Sequence, residues 1–349
     1  MAPVAGTPAG KLLRASGSFF IQISRIFGMA SSRPRVLQYG KMPLPQLDAD
    51  LAQAYEVQIL CEQADPERFL AEQGAQFEYL VTTAAMGLPA RVVDALPNLK
   101  FVSSFGVGFD ALDKEALLRR GARVGYTPGV LDDCVADMAW ALLLDSARGL
   151  SAADRFVRRG EWSQRRFGIT TRVSGKRLGI FGMGRIGSAV ARRGAGFDMQ
   201  VAYHNRRPVE GSPHRYKESL LELARWSDFL VITAAGGDHT RHLVNDEVLD
   251  ALGPQGFLVN VARGSVVDEA ALVEALQSGR IAGAGLDVFE DEPRPHADLL
   301  ALENAVLAPH VASGTHETRR AMADLVLENL QQFIATGRPA VEVPWSAAR

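Results

Sequence analysis

From Arg35 onward the chain alternates short apolar runs with helical stretches. Arg35–Tyr39, Glu56–Cys61, Phe77–Thr82 and Leu99–Ser104 are continuous apolar runs of roughly four to eight residues, the length of buried strands. Between them, Pro66–Gln73, Pro89–Leu96 and Lys114–Arg120 read as helices, with each proline in a first turn, where its missing N–H costs nothing. Strand–helix–strand repetition predicts a parallel sheet covered by helices on both faces. Thr127-Pro128-Gly129 marks a turn, and Leu131–Ala147 follows as a long, largely apolar helix.

A second series then begins. Leu178–Phe181, Gln200–Tyr203, Phe229–Thr233, Phe257–Val261, Gly283–Val288 and Val306–Ala308 read as six strands, with helices that include Ser188–Arg193 and Ala270–Ser278 between them. Six strands joined by crossovers are the content of a dinucleotide-binding domain. The final helix, Glu317–Ala335, and Leu131–Ala147 bracket this series. The expectation is therefore an insertion: residues 35–130 and 314–349 form a discontinuous substrate-binding domain around a Rossmann domain at 131–313. Residues 1–34 are expected to lie outside both, as a disordered extension or the product of translation begun upstream of Met29. The predicted fold class is α/β, two Rossmann-like or flavodoxin-like parallel-sheet domains with the active-site cleft between them.

Composition narrows the function classes. The chain has 349 residues with a formal net charge of −2, so nothing indicates a strongly basic nucleic-acid surface. The two cysteines, Cys61 and Cys134, provide neither a disulfide framework nor a thiolate zinc site and fit a reducing cytoplasm. No apolar stretch reaches the length that spans a bilayer, and Phe19–Ile23 is cut short by Ser24 and Arg25. No histidine pair has a metal-ligand spacing, and the six besides His310 are placed in turns or helix starts.

The sharpest motif is Gly182-Met183-Gly184-Arg185-Ile186-Gly187, set between the apolar strand Leu178–Phe181 and a helix. Gly182 permits a tight turn, Gly184 lets the backbone approach a pyrophosphate, and Gly187 lets helix and strand pack closely. About 20 residues further on, where an NAD site wants a carboxylate for the ribose 2′-hydroxyl, the chain instead reads Asn205-Arg206-Arg207. Two guanidinium groups suit a 2′-phosphate. NADP is thus the preferred cofactor, with NAD also possible.

Three further segments end predicted strands, where ligands bind in open parallel sheets. They are Asn260–Ser265 with Arg263, Gly285–Pro293 with Asp287, Glu290 and Glu292, and Leu307–Gly314 with His310 and Ser313. A cation, a carboxylate and an imidazole suit hydride transfer to a keto acid. The imidazole donates a proton to the developing oxyanion, the carboxylate orients the ring and favours its charged form, and the arginine holds the substrate carboxylate.

Together with Val102–Asp110, Tyr126–Asp133, Gly160–Trp162 and Arg319–Val326, these segments resemble the D-2-hydroxyacid dehydrogenase family, most closely its hydroxyphenylpyruvate and glyoxylate/hydroxypyruvate reductases. The resemblance runs from about Arg35 to Pro344. It implies Arg263 as substrate arginine, Glu292 as the carboxylate and His310 as the acid, with Glu290 a bystander. Asp287 would accept from the nicotinamide carboxamide. Val107 and Gly108 would offer backbone N–H groups to the substrate, with Met86 and Gly87 in a second substrate loop. Thr233, Ala234, Val261, Ala262, His310 and Ser313 complete the cofactor set beside Met183, Arg185 and Ile186. The chain departs from the family at Ala234–Gly237, where proline is common. The resemblance also implies a homodimer built on the arm Ser151–Val173, which carries Trp162, Phe167 and a run of arginines. A competing reading within the same fold is a nucleotide-sensing, corepressor-like protein, which would bind NAD(H) and recruit peptides.

Overall fold

A computed structural model describes residues 33–347. The expectation for Met1–Ser32 falls outside the described residues.

Two all-parallel sheets organise the chain. The first contains β1 (Arg35–Gln38), β2 (Glu56–Ile59), β3 (Tyr79–Thr83), β4 (Phe101–Phe105) and β5 (Arg123–Gly125), in the order β2-β1-β3-β4-β5. The second contains β6 (Arg177–Phe181), β7 (Gln200–His204), β8 (Arg215–Tyr216), β9 (Phe229–Ile232), β10 (Phe257–Asn260), β11 (Gly283–Leu286) and β12 (Ala305–Leu307). Its order is β12-β11-β10-β9-β6-β7-β8. The first order is flavodoxin-like; the second is the doubly wound dinucleotide-binding order with one extra edge strand. Every residue of β4, β9, β10 and β11 is buried, which is why these strands are largely apolar without alternation, Ser103, Ser104 and Asn260 being their buried polar residues.

Each sheet has one strand more than expected from the sequence. β5 is three residues long and β8 only two, so neither forms an apolar run of detectable length. Helices at Pro45–Ala54, Leu150–Arg158, Leu220–Trp226 and Asp246–Leu252 also escaped the sequence reading. The predicted strands otherwise appear with ends shifted by one or two residues; Glu56–Cys61, for instance, stops at Ile59 and turns into a short 3-10 helix over Leu60–Glu62. His204 is a further correction, since it closes β7 rather than sitting in a turn.

Local chemistry accounts for the helix ends. Asp65 and Asp113 cap Pro66–Gln73 and Lys114–Arg120 by accepting from Arg68 N and Ala116 N. Gly121 ends the latter in the left-handed conformation. The helix Asp132–Arg148 packs along β10 and β11, while His316–Thr336 returns to lie across β4 and β5. The buried side chains of both long helices join one core cluster that reaches from Val36 to Val259. Ser103 donates to Val326 O, and the fully buried Asn329 donates to Tyr126 O, fastening the last helix to the first sheet. Arg123 and Glu342 add an ion pair at the same edge.

Candidate active site

The C-terminal ends of both sheets face one cleft of about 690 Å³. From the five-stranded side it is lined by Met86, Phe105, Val107, Gly108 and Asp110; from the seven-stranded side by Arg263, Asp287, Glu292 and His310. Ile186, Thr233, Ala234, Val261, Ala262 and Ser313 also line it. Gly87 does not, and neither do the remaining fingerprint residues or Asn205–Arg207, which lie along the same strand ends further toward β7.

His310 and Glu292 come together as the sequence implied. Nδ1 of His310 lies 2.6 Å from Glu292 Oε2, and Glu292 Oε1 accepts from Phe289 N at 3.1 Å. Burial pushes the Glu292 carboxyl upward, but His310, the Phe289 amide and the charge of Arg263 together outweigh it and the net shift is downward. Both side chains stay about one-third exposed, open to a ligand in the cleft. His310 holds a positive φ of 53°, a conformation fixed by its N–H donating to Asp287 O and by the next two amides. Val311 N and Ala312 N donate to the two carboxylate oxygens of Asp287 at 2.8 and 2.9 Å. Asp287 is fully buried, and burial raises its carboxyl against the pull of those amides. Its first structural task is thus to shape the His310 turn, and a carboxamide would use the remaining lone pairs.

Arg263 leaves the end of β10, its Nη1 donating to Ala262 O at 2.8 Å. Its Nε reaches both oxygens of Asp110 at 3.2 and 3.3 Å. No role for Asp110 is readable from the sequence, since it stands 153 residues away, in the loop after β4 of the other sheet. Gly108 is required beneath the guanidinium, since a Cβ there would come within 1.5 Å of Nη2. The N–H groups of Val107 and Gly108 donate to nothing among the described residues.

Glu290 is not idle, although it has no place in the triad. Oε1 of Glu290 takes Arg241 Nη2 at 2.7 Å and His242 Nε2 at 2.6 Å. A second unanticipated cleft residue is Arg319, half-buried over the Phe105 ring at 5.5 Å with no carboxylate partner among the described residues.

The three fingerprint glycines have the distinct environments that a dinucleotide site demands. A Cβ on Gly182, at φ 105°, would meet Ala234 N at 2.4 Å, and one on Gly187 would meet Gly182 O at 2.4 Å. On Gly184 it would meet no protein atom within 4 Å. That open direction adjoins the first turn of the helix Arg185–Gly194, which leaves room for a pyrophosphate on its amides. Asn205 is committed to the loop itself: Oδ1 accepts from Met183 N at 2.6 Å. Arg206 and Arg207 are exposed at the end of β7, with no carboxylate partner among the described residues. These residues fit a nicotinamide dinucleotide.

Residues 140–312 match the family described as D-isomer specific 2-hydroxyacid dehydrogenase, NAD binding domain. The chain is 45% identical over 293 residues to a hydroxyphenylpyruvate reductase of Plectranthus scutellarioides, covering 84% of this chain and 93% of that one. It belongs to the D-isomer specific 2-hydroxyacid dehydrogenase family. As a member, it is an NAD(P)-dependent oxidoreductase. A glyoxylate/hydroxypyruvate reductase A of Arabidopsis thaliana is 47% identical over 252 residues, covering 72% of this dehydrogenase and 80% of the relative. Among solved structures, an NADPH-dependent glyoxylate/hydroxypyruvate reductase from Sinorhizobium meliloti, in complex with NADP and malonate, superposes with a TM-score of 0.85. It is 42% identical and covers 90% of this dehydrogenase and 98% of that chain. These relatives do not favour the corepressor-like reading.

Proposed function

We propose that this dehydrogenase uses NADPH in preference to NADH to reduce small 2-keto acids, hydroxypyruvate and glyoxylate foremost and hydroxyphenylpyruvate in reach, to 2-hydroxy acids, of D configuration wherever a stereocentre forms. The observation that carries the reading is the convergence on one cleft of Arg263, two unpaired amides and a Glu292-held His310.

Bound on the fingerprint loop, a reduced nicotinamide supplies a hydride. The chain supplies everything else. Arg263 Nη2 and the amides of Val107 and Gly108 take the substrate carboxylate, a charge-assisted arrangement that fixes the plane of the keto acid. Glu292 holds Nδ1 of His310, which leaves Nε2 for the ketone oxygen. As negative charge grows on that oxygen, His310 passes it the Nε2 proton, and Glu292 balances the ring's charge beforehand. Asp287 keeps the His310 backbone in its strained turn. Arg206 and Arg207 are the groups that would meet a 2′-phosphate.

The domain division expected from the sequence supports hinge closure over the substrate, with the long helix Asp132–Arg148 on the cofactor sheet and His316–Thr336 on the other. We also propose a homodimer built on the Ser151–Val173 arm. Trp162 and Ile169 there are 71% and 104% exposed, and Phe156, Phe167 and three arginines border a neighbouring cavity of about 300 Å³. Exposed aromatics with arginine are interface chemistry. Sedimentation at micromolar concentration tests it, and a monomer rejects it. Among the described residues no helix is long and apolar enough to cross a membrane, and no group of three potential metal ligands occurs. The reducing cytoplasm remains the proposed compartment.

The activity test is NADPH oxidation on adding hydroxypyruvate, glyoxylate, hydroxyphenylpyruvate or pyruvate to purified protein, with the product resolved on a chiral column. Turnover of at least one of the first two is expected, with D-glycerate as the product from hydroxypyruvate; the glycolate formed from glyoxylate is achiral and is identified by its retention alone. No oxidation with any 2-keto acid would refute the reading.

A further inference from the structure

The Arg263–Asp110 contact has features that a chance ion pair would lack. It joins the two lobes: Arg263 follows β10 of the seven-stranded sheet, and Asp110 follows the turn after β4 of the five-stranded one. It is side-on to Nε, with the carboxylate straddling that nitrogen at 3.2 and 3.3 Å. Both side chains are 24% exposed, so water has limited access. A third loop leans on the pair, because a Cβ on Gly236 would meet Arg263 Cγ at 2.6 Å and Asp110 Oδ2 at 3.2 Å. With Nε on Asp110 and Nη1 on Ala262 O, the donor edge left over is Nη2, directly above Gly108.

We propose that Asp110 is a positioning residue for the reaction: it grips Arg263 from behind, across the cleft, and thereby turns Nη2 toward the Val107–Gly108 amides where the substrate carboxylate is held. The inference rests on the reading of Arg263 as the substrate anchor. A free arginine side chain samples many rotamers, and only a few of them aim its fork at one point. Fixing Nε removes most of that freedom before substrate arrives, so less is lost on binding. Because the grip comes from the opposite lobe, the anchor is aimed only when the lobes stand close enough for the pair to form. Asp110 also brings a negative charge toward an anionic substrate, so a purely electrostatic account predicts the opposite sign: removing it would tighten binding.

The two accounts separate in steady-state kinetics with a saturating concentration of NADPH. Asp110→Ala is expected to raise the KM for hydroxypyruvate about tenfold, with a smaller loss in kcat and an unchanged Kd for NADPH by fluorescence titration. Asp110→Asn keeps an acceptor for Nε without the charge and should recover most of the loss. In an Arg263→Ala background, Asp110→Ala should cost nothing further, since there is no guanidinium left to aim. A lowered or unchanged KM for Asp110→Ala, or losses that multiply in the double variant, overturns the inference while leaving the anchor reading intact. If Arg263→Ala itself leaves the KM unchanged, the anchor reading fails and this inference falls with it. Thermal melting of each variant guards against a folding defect: the Asn variant, which preserves shape, carries the test if the Ala variant melts early.

Discussion

The chemical cleft and the exposed end of β7 beyond it, the two ends of the proposed cofactor and substrate path, are built on opposite electrostatic plans. At the chemical end every charged group of the proposed triad already has a protein partner: His310 has Glu292, and Arg263 has Asp110. At the end of β7, Arg206 and Arg207 have no carboxylate partner among the described residues and stand in solvent. Partners at the first end set direction and protonation before substrate arrives, so the geometry exists in advance of binding. Free guanidiniums at the second end leave their charge to be claimed by a ligand. On the proposed reading, the chemistry is preorganised by the protein, whereas the choice of cofactor is left to charge that no protein group has claimed.

The largest effect should come from breaking the preorganised end. His310→Gln is expected to lower turnover by about 10²–10⁴, the usual contribution of a positioned acid, a far larger loss than any it causes in NADPH binding by fluorescence titration. At the other end, Arg206→Ala should weaken NADPH by about 1.5–3 kcal/mol and leave NADH nearly untouched. Equal losses for both cofactors would show that Arg206 does not meet a 2′-phosphate.

Glu292→Gln sharpens the comparison through pH. The Glu292 carboxyl lies below its ordinary value despite burial, so it is charged throughout the range in which the enzyme would work. Its removal should lower turnover, because the carboxylate that orients His310 for proton donation is gone. Unchanged turnover would uncouple the two residues. Stability follows the same group with a definite sign. A depressed carboxyl stabilises the folded state above the unfolded carboxyl value, and that contribution disappears as pH falls through the folded one. The pair is one-third exposed, so screening should keep the difference in melting between Glu292→Gln and wild type small at neutral pH and abolish it in strong acid.

The smallest expected change compares two glycines of one loop. Gly184→Ala should leave melting within about 0.5 kcal/mol of wild type, since nothing in the protein meets its Cβ, yet weaken both cofactors. Gly187→Ala should instead destabilise the fold, because its Cβ would lie 2.4 Å from Gly182 O.

What could be read from the sequence follows the same division between local and distant. The fully buried strands β9, β10 and β11 were visible as apolar runs, and Arg263, Glu292 and His310 stood out because each follows a strand end. β5 and β8 were invisible because three and two residues carry no periodicity. Asp110 lay inside a quoted motif but had no readable role, since its partner comes from another sheet. Nor could sequence spacing show that both oxygens of Asp287 are taken by the turn that presents His310.

The most direct test of the account is the ratio of kcat/KM for NADPH to that for NADH, measured with saturating hydroxypyruvate on the wild type and on the Arg206→Ala, Arg207→Ala double variant. A preference for NADPH of at least about tenfold in the wild type, collapsing toward unity in the double variant, is predicted from the charge-assisted contacts of two guanidiniums. A wild type that uses both cofactors equally, or a preference that survives loss of both arginines, would contradict it.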